Sequence, residues 1–429
     1  MDYLRGVLGM AMLLGVAFLF SNGRRLIKWR LVITGIALQV LLGIVILKVP
    51  QAKAVFEKVS SGFVKLLSFS DRGAAFIFGD LAVDTDQYGF IFAFKVLPIV
   101  IFFSTLTAGL YYLGVLQKIV YAFAWIMART MRLSGAESLS AAGNVFLGQT
   151  EAPLLVKPYI RKMTDSELLC LMTGGMATVS GAVFATYVAF LGGDSTAEQT
   201  RFAAYLLSAS IMNAPAAIVV AKILFPEQSE KTSNTSLNIS SNDIGVNLID
   251  ALARGASDGL KLALNIGAML LAFISVVATV NYFLLEVVGA NLGLNELIRT
   301  STNETFDGFS LEYMLGQVFR VFAFIMGVDW SDSLVVGSLL GKKTVINEFV
   351  AYLDLSKLKE DLKIDGKALL ISTYALCGFA NFSSIAIQIG GIGGLAPSRQ
   401  SDLSRLGLRA LLGGSLASML TATLAGMIA

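Results

Sequence analysis

Two stretches of this chain decide its fold, SLSAAGNVFLGQTEAPLLVK at 138–157 and SDSLVVGSLLGKKTVINEFVAYL at 331–353. Each is apolar enough to enter a lipid bilayer, and each is interrupted in the middle by polar residues. The halves are about 8–10 residues long, too short to cross a hydrocarbon core of ~30 Å. Because non-helical backbone at membrane depth is tolerated only where protein or water covers it, the pattern predicts two re-entrant helical hairpins, at 138–157 and 331–353.

The composition is that of a polytopic, all-α membrane protein. Of the 429 residues, 55% are hydrophobic and 15% charged, whereas soluble domains carry about 25% charged residues. The apolar segments leave room for about eight transmembrane helices of ~20 residues each. We predict these helices at 3–20, 31–49, 91–116, 168–192, 202–225, 260–288, 367–390 and 406–429.

Lysine and arginine in the short loops predict the orientation of these helices. Four basic residues and no acid follow the first helix, at Arg24, Arg25, Lys28 and Arg30. This loop is therefore expected in the cytoplasm, with the N-terminus and, after eight crossings, the C-terminus outside. The first hairpin then enters the membrane from the cytoplasm and the second from the opposite side.

The two hairpins resemble each other, since LGQTE at 147–151 and LGKKT at 340–344 occupy similar places. Each hairpin precedes an apolar helix with a Gly-rich polar interruption. Two copies of opposite orientation predict an inverted repeat, which is typical of secondary transporters. We divide the chain into N-terminal helices with an interfacial helix at 51–68 and a scaffold helix (1–116), a first repeat (117–225), a polar cytoplasmic linker at 226–247 with a scaffold helix and an external loop (226–311), and a second repeat that opens with an interfacial helix at 312–328 (312–429).

Several enzyme classes are excluded by composition. The chain has no histidine, which removes Ser–His and Cys–His nucleophile pairs and HExxH zinc sites. Cys170 and Cys377 lie in apolar segments, where small buried residues are expected rather than a disulfide or a metal cluster. The basic residues lie beside the membrane helices, so no nucleic-acid partner is indicated. A channel and an intramembrane hydrolase remain alternatives, although neither a filter motif nor a GxSxG motif is evident.

Ionisable side chains inside a membrane indicate function by default. Glu151 and Glu348 provide one carboxylate in each hairpin, although Lys342 or Lys343 could instead pair with Glu348 in a structural role. Amides and hydroxyls accompany the acids in otherwise apolar segments, which favours a neutral solute rich in hydroxyl and amide groups. Asn144 and Thr178 could supply oxygens to Na⁺. The accompanying polar residues are Gln149, Thr150, Asn381, Ser383 and Ser384.

The motifs GQTEAP at 148–153, NEFVAY at 347–352 and CGFANFSS at 377–384, in this order, resemble the concentrative nucleoside transporter family in its bacterial form. The resemblance implies a homotrimer in the inner membrane, with a mobile transport domain moving past a scaffold in each protomer as an elevator. It also implies import of nucleosides of the uridine, cytidine and adenosine type, driven by Na⁺ or alternatively by protons, with no organic cofactor.

The resemblance also assigns residues to roles. Gln149 and Glu151 are expected to hydrogen-bond the nucleobase with help from Thr150, while Val183 and Phe379 pack on the base. Glu348, Asn381 and Ser384 are expected to hold the ribose hydroxyls. Na⁺ is expected between the side chains of Asn144 and Thr178 and the backbone carbonyls of Leu147 and Val179. Family members often have Ser at the position of Thr178, so the hydroxyl is retained here.

Overall fold

The structure is a computed structural model that describes residues 2–88, 91–228 and 246–428. In these ranges every regular element is helical, as predicted. The elements also include 3-10 helices at Arg24–Leu26 and Pro397–Arg399 and a π-helical segment at Phe283–Gly289. The α-helices are α1 (Asp2–Leu19), α2 (Trp29–Lys48), α3 (Pro50–Phe78), α4 (Asp80–Val83), α5 (Thr85–Tyr88), α6 (Phe92–Lys95), α7 (Leu97–Tyr112), α8 (Val115–Met131), α9 (Gly135–Asn144), α10 (Ala152–Leu155), α11 (Lys157–Ile160), α12 (Asp165–Ala177), α13 (Gly181–Gly192), α14 (Thr196–Leu224), α15 (Leu248–Tyr282), α16 (Leu294–Ser301), α17 (Leu311–Ile325), α18 (Trp330–Val345), α19 (Glu348–Glu360), α20 (Gly366–Leu376), α21 (Phe382–Leu395) and α22 (Gln400–Ile428).

The eight predicted transmembrane helices all correspond to helical segments. The segment predicted at 3–20 is α1, and the segments predicted at 168–192 and 367–390 are each divided, the first into α12 and α13 and the second into α20 and α21. Among the described residues, six segments are both long and apolar enough to cross a bilayer, at Trp29–Lys48, Phe92–Tyr112, Asp165–Gly192, Thr196–Leu224, Leu248–Gly289 and Pro397–Ile428.

Both re-entrant hairpins are present, but of their halves only α9, with 10 residues, has the predicted length of 8–10 residues. In the second hairpin, α18 has 16 residues and α19 has 13, and a bend of 118° separates α18 from α17. In the first hairpin, α9 is followed by a non-helical turn and then by two single-turn helices. Pro158 divides this second half, because it lacks an N–H and restricts the residue before it.

Two further elements differ from the sequence-based expectations. The interfacial helix predicted at 51–68 continues to Phe78 in α3. A helix, α8, occupies Val115–Met131, where no helix was predicted between the third span and the first hairpin. Its basic residues lie along a helix with one apolar face, a pattern that is weaker than a transmembrane signal. Most of the linker predicted at 226–247 lies outside the described residues.

The two repeats interlock, since α12 and α20 both pack against α22, and α14 packs against α12, α20 and α22. In the most apolar part of α14, 94% of the residues are buried, whereas in that of α15 with its π-helical extension only 17% are buried. Helix α15 packs on α7 through Gly255 and Gly259, where an added Cβ would lie 2.6 Å from Ala108 and 2.8 Å from Ser104. This GxxxG contact lets two peripheral helices approach closely. The repeats therefore form the buried centre and the α7–α15 pair lies outside it.

Candidate functional site

Two asparagines start the helices that carry the site in the second repeat. Asn347 Oδ1 accepts a hydrogen bond from Val350 N at 3.0 Å, and Asn381 Oδ1 accepts one from Ser384 N at 2.8 Å. Such N-caps satisfy backbone donors that a new helix would leave unpaired. Helices α19 and α21 can therefore begin at membrane depth. Glu348 is the first residue of α19, where a negative charge is favoured by the helix dipole.

Glu348 is held between two donors from different elements. Glu348 is only 2% exposed. Its carboxylate accepts hydrogen bonds from Tyr187 Oη at 3.0 Å and from Asn381 Nδ2 at 2.7 Å. The Tyr187 ring is stacked on Tyr352 with centroids 4.3 Å apart. Because a carboxylate offers about four acceptor positions, two remain for further donors such as the hydroxyls of a sugar.

A chain of hydrogen bonds joins this carboxylate to the first hairpin. Asn381 caps Ser384, and Ser384 Oγ accepts a hydrogen bond from Gln149 Nε2 at 3.2 Å. Gln149 Oε1 in turn accepts from Gln388 Nε2 at 3.2 Å. The structure therefore brings together four of the predicted site residues, Gln149, Glu348, Asn381 and Ser384, although they come from two hairpins and a broken helix.

The remaining residues predicted for the substrate lie around this chain. Glu151 is exposed and lines a cavity of about 250 Å³ together with Ser180 and Asp258. Thr150 is also exposed, and its methyl group faces α21 near Gly391. Val183 and Phe379 are buried in the hydrophobic core. Glu151 is thus open to a cavity on the side of α7 and α15, whereas Glu348 is enclosed.

The two lysines of the second hairpin have partners other than Glu348. Lys342 Nζ lies 2.5 Å from Asp354 and 3.4 Å from Glu312. Lys343 is buried and donates to the carbonyl of Ala375 at 2.8 Å and to Ser418 Oγ at 3.1 Å. Both lysines therefore tie the second hairpin to neighbouring helices.

The residues predicted for Na⁺ converge at the end of α9. Asn144 is 1% exposed, and neither atom of its amide group has a hydrogen-bond partner among the described residues. Its Nδ2 lies against Gly174 of α12, where an added Cβ would be 2.9 Å away. A buried polar group without a partner costs roughly 1–3 kcal/mol, so an oxygen left in this state suits a small cation.

Thr178, at the end of α12, is the second side chain predicted to bind Na⁺. It follows the last residue of α12 in an extended conformation, and its hydroxyl donates to the Gly174 carbonyl at 2.9 Å, which leaves the oxygen free to face a cation. Residues 178–180 are non-helical, and the N–H of Gly181 donates to the Phe146 carbonyl at 3.3 Å, which places this break next to Leu147; Leu147 and Val179 are both buried. These neutral oxygens at unwound helix ends are the type of ligand that transporters use for Na⁺.

Two contributors to the site, Tyr187 and Gln388, were missed by the sequence analysis. Each follows a predicted site residue by four positions on the same helix, Tyr187 after Val183 and Gln388 after Ser384. Residues four apart lie on one helix face. Helical spacing from the predicted residues was therefore the signal that could have identified both.

Comparisons with known proteins agree on one family. Three family models match: "Na⁺ dependent nucleoside transporter N-terminus" at residues 8–81, "Nucleoside recognition" at 93–194 and "Na⁺ dependent nucleoside transporter C-terminus" at 205–426. A relative from Helicobacter pylori, the nucleoside permease NupC, is 39% identical over 98% of this chain and 96% of its own length.

Solved structures resemble the whole chain. The transporter CNTnw in an inward-facing substrate-bound state matches with a TM-score of 0.87 and 37% identity, covering 99% of this chain and 98% of CNTnw. A variant of CNTnw in an outward-facing state matches with a TM-score of 0.88 and 36% identity, covering 100% of this chain and 98% of the variant.

Proposed function

Because this chain belongs to the Na⁺-dependent, or concentrative, nucleoside transporter family, we propose that it is a symporter that imports nucleosides together with Na⁺ across the bacterial inner membrane. Membership of the family confirms the resemblance found in GQTEAP, NEFVAY and CGFANFSS. It also identifies the chain as a membrane transporter of nucleosides rather than an enzyme.

The observation that carries the proposed mechanism is the hydrogen-bond chain between the two hairpins. A nucleoside has a base rich in amide-type groups at one end and ribose hydroxyls at the other. In the proposal, Gln149 and Glu151 hydrogen-bond the base with help from Thr150, and Val183 and Phe379 pack on it. Glu348, Asn381 and Ser384 form hydrogen bonds with the ribose hydroxyls. Glu348 can accept them because its carboxylate retains free acceptor positions beside Asn381. The substrate would replace the direct contact between Gln149 and Ser384.

The proposal takes Na⁺ as the coupling ion. Asn144 supplies an amide oxygen without a partner among the described residues, and Thr178 supplies a hydroxyl oxygen. The carbonyls of Leu147 and Val179 complete the set. These neutral oxygens can bind a metal cation but offer no carboxylate or imidazole that would take up a proton, which favours Na⁺ over protons.

We further propose an elevator movement in a homotrimer. The α7–α15 pair, with α3 packed on α7, would form the scaffold, and the interlocked repeats would move past it as one body. The apolar surface of α15, with exposed Leu264 and Leu271, supports a contact with lipid or with neighbouring protomers. Positive charge after α1 supports a cytoplasmic loop there and termini on the outside.

Uptake of labelled nucleosides into proteoliposomes tests this function. A panel containing uridine, cytidine and adenosine is applied with an inward Na⁺ gradient, with choline replacing Na⁺, and with an inward proton gradient. The proposal predicts accumulation above equilibrium with Na⁺ alone. Accumulation in Na⁺-free buffer that collapses with the proton gradient would instead identify a proton symporter.

A further inference from the structure

The breaks of the two discontinuous helices lie against each other at the centre of the molecule. Helix α12 ends at Ala177 and α20 ends at Leu376. Gly378 has a φ of +133°, and a Cβ added to it would lie 2.7 Å from the carbonyl oxygen of Ala177. A glycine is required at this point, both for the backbone conformation and for the close approach. The first repeat therefore meets the second at their unwound segments.

One side chain hydrogen-bonds both breaks. Asn213 of α14 is completely buried. Its Nδ2 donates to the carbonyl of Ala177 at 2.6 Å and to the carbonyl of Cys377 at 3.1 Å. An amide nitrogen has two N–H groups in one plane, so a single rigid group fixes the relative position of the two carbonyls. Breaking a helix frees such carbonyls from their helical partners.

Each of these carbonyls is adjacent to one of the two proposed binding sites. Ala177 directly precedes Thr178 and Val179, which are proposed to bind Na⁺. Cys377 comes two positions before Phe379 and four before Asn381, which are proposed to bind the nucleoside. The two carbonyls that Asn213 hydrogen-bonds thus lie one residue before the first proposed site and two residues before the second.

We propose that Asn213 is a positioning residue that couples Na⁺ binding to nucleoside binding. The inference rests on the proposed Na⁺ symport and deepens it. Na⁺ bound between Asn144 and Thr178 fixes the segment that contains the Ala177 carbonyl. Asn213 transmits this order to the Cys377 carbonyl, and so to the segment that presents Phe379 and Asn381. Without the amide, each site still has its ligands, but ordering one no longer orders the other.

Equilibrium binding of labelled uridine to the purified protein tests the proposal. The dissociation constant is measured in Na⁺ and in choline, and the ratio of the two gives the coupling, which for coupled sites is roughly 5- to 150-fold. Asn213→Leu removes both hydrogen bonds at similar volume and is expected to bring the ratio to about one. Asn213→Ser, which is shorter and keeps a single donor, is expected to give an intermediate ratio, and it decides the question if the leucine variant does not fold.

Ser208→Ala provides the matched control. Ser208 lies on the same helix and contacts Tyr374 Oη at 2.6 Å, so the variant also loses a buried contact between α14 and α20 but leaves both breaks untouched. Its ratio is expected to equal that of the wild type. A merely structural role for Asn213 would weaken binding equally in both buffers, and an unchanged ratio in the Asn213 variants would overturn the inference. A wild-type ratio of one would overturn Na⁺ coupling itself and the inference with it.

Discussion

At the scale of single residues, the proposed mechanism makes Glu348 the group on which nucleoside recognition depends most. Glu348→Gln keeps the size of the side chain but removes its charge and turns one acceptor into a donor facing Asn381. Because each hydrogen bond to a charged group is worth roughly 1.5–3 kcal/mol, we expect uridine uptake to fall by about tenfold or more. The loss should be smaller for a deoxynucleoside that lacks the hydroxyl in contact with Glu348.

Initial uptake rates of uridine and of its deoxy analogues check this prediction. Glu312→Gln is the control, because Glu312 is a carboxylate of the second repeat that pairs with Lys342 outside the pocket. Near-wild-type uptake of both nucleosides by Glu348→Gln would show that Glu348 does not bind ribose.

In the proposed mechanism, Asn144 is the residue on which cation binding depends most. Asn144→Leu removes the amide oxygen and is expected to raise the Na⁺ concentration for half-maximal uptake by about tenfold or more, the equivalent of ~1.4 kcal/mol. The measurement is uridine uptake as a function of Na⁺ concentration. Thr173→Val is the control, since Thr173 is also buried on α12 and its hydroxyl also has no partner among the described residues. A wild-type Na⁺ dependence in Asn144→Leu would remove this residue from the cation site.

Residue identities near the motifs could be predicted from sequence, but their partners could not. Polar residues in apolar segments singled out Gln149, Asn381 and Ser384, and the structure brings them together. The hydrogen bonds from Tyr187 to Glu348 and from Asn213 to the Cys377 carbonyl join residues more than 160 positions apart in the chain. Such contacts depend on how α13 and α14 pack against the second repeat, and no local pattern encodes that packing.

At the scale of helices, the contact between the two broken segments requires Gly378. In Gly378→Ala, the new Cβ would collide with the Ala177 carbonyl, and the backbone would hold a φ that alanine rarely adopts. Strain of this kind costs of order 1–3 kcal/mol. We expect a lower thermal unfolding midpoint together with weaker uridine binding, measured on the purified protein.

Gly366→Ala is the matched control, because an added Cβ at Gly366 meets open space. It should leave both stability and binding near those of the wild type. If Gly378→Ala were as stable and as active as Gly366→Ala, the two breaks would not be in tight contact.

The helices themselves were predicted unevenly. The long apolar helix α2 begins and ends within two residues of its predicted bounds. Helix α14 ends within one residue of the predicted position but begins six residues earlier. The interruptions were predicted because polar residues divide the apolar stretches, and the structure shows that Asn347 and Asn381 act there as N-caps. The length of α18 and the existence of α8 were not predicted, since both depend on packing against neighbouring helices rather than on local hydrophobicity.

At the scale of the whole molecule, the inverted repeat could be predicted because hairpin, broken helix and long helix recur in the same order. The interlocking of the repeats around α14 and α22 could not, because it arises from contacts between elements far apart in sequence. The elevator proposal depends on this arrangement, in which the repeats can move together past α3 and α7.

A cross-link between the two proposed bodies tests the movement. The rings of Phe63 on α3 and Phe184 on α13 are 4.6 Å apart. With Phe63→Cys and Phe184→Cys combined, a bis-methanethiosulfonate reagent that bridges the space left by the two rings is expected to link the cysteines and stop uptake while uridine binding persists, and reduction of its disulfides should restore uptake. The native Cys170 and Cys377 are buried and do not interfere. Each single substitution serves as a control, and undiminished uptake by the cross-linked protein would contradict the movement.

The position of a bound nucleoside tests the central claim most directly, namely that one substrate lies between the two hairpins with its base toward the first and its ribose toward the second. Crystals of the protein with Na⁺ and 5-bromouridine would locate the bromine by its anomalous scattering. We predict a single peak on the base side, near Gln149 and Phe379, with the ribose beside Glu348. A peak elsewhere, such as in the cavity of about 1210 Å³ that Asp71, Lys95 and Leu271 help to line, would contradict the claim.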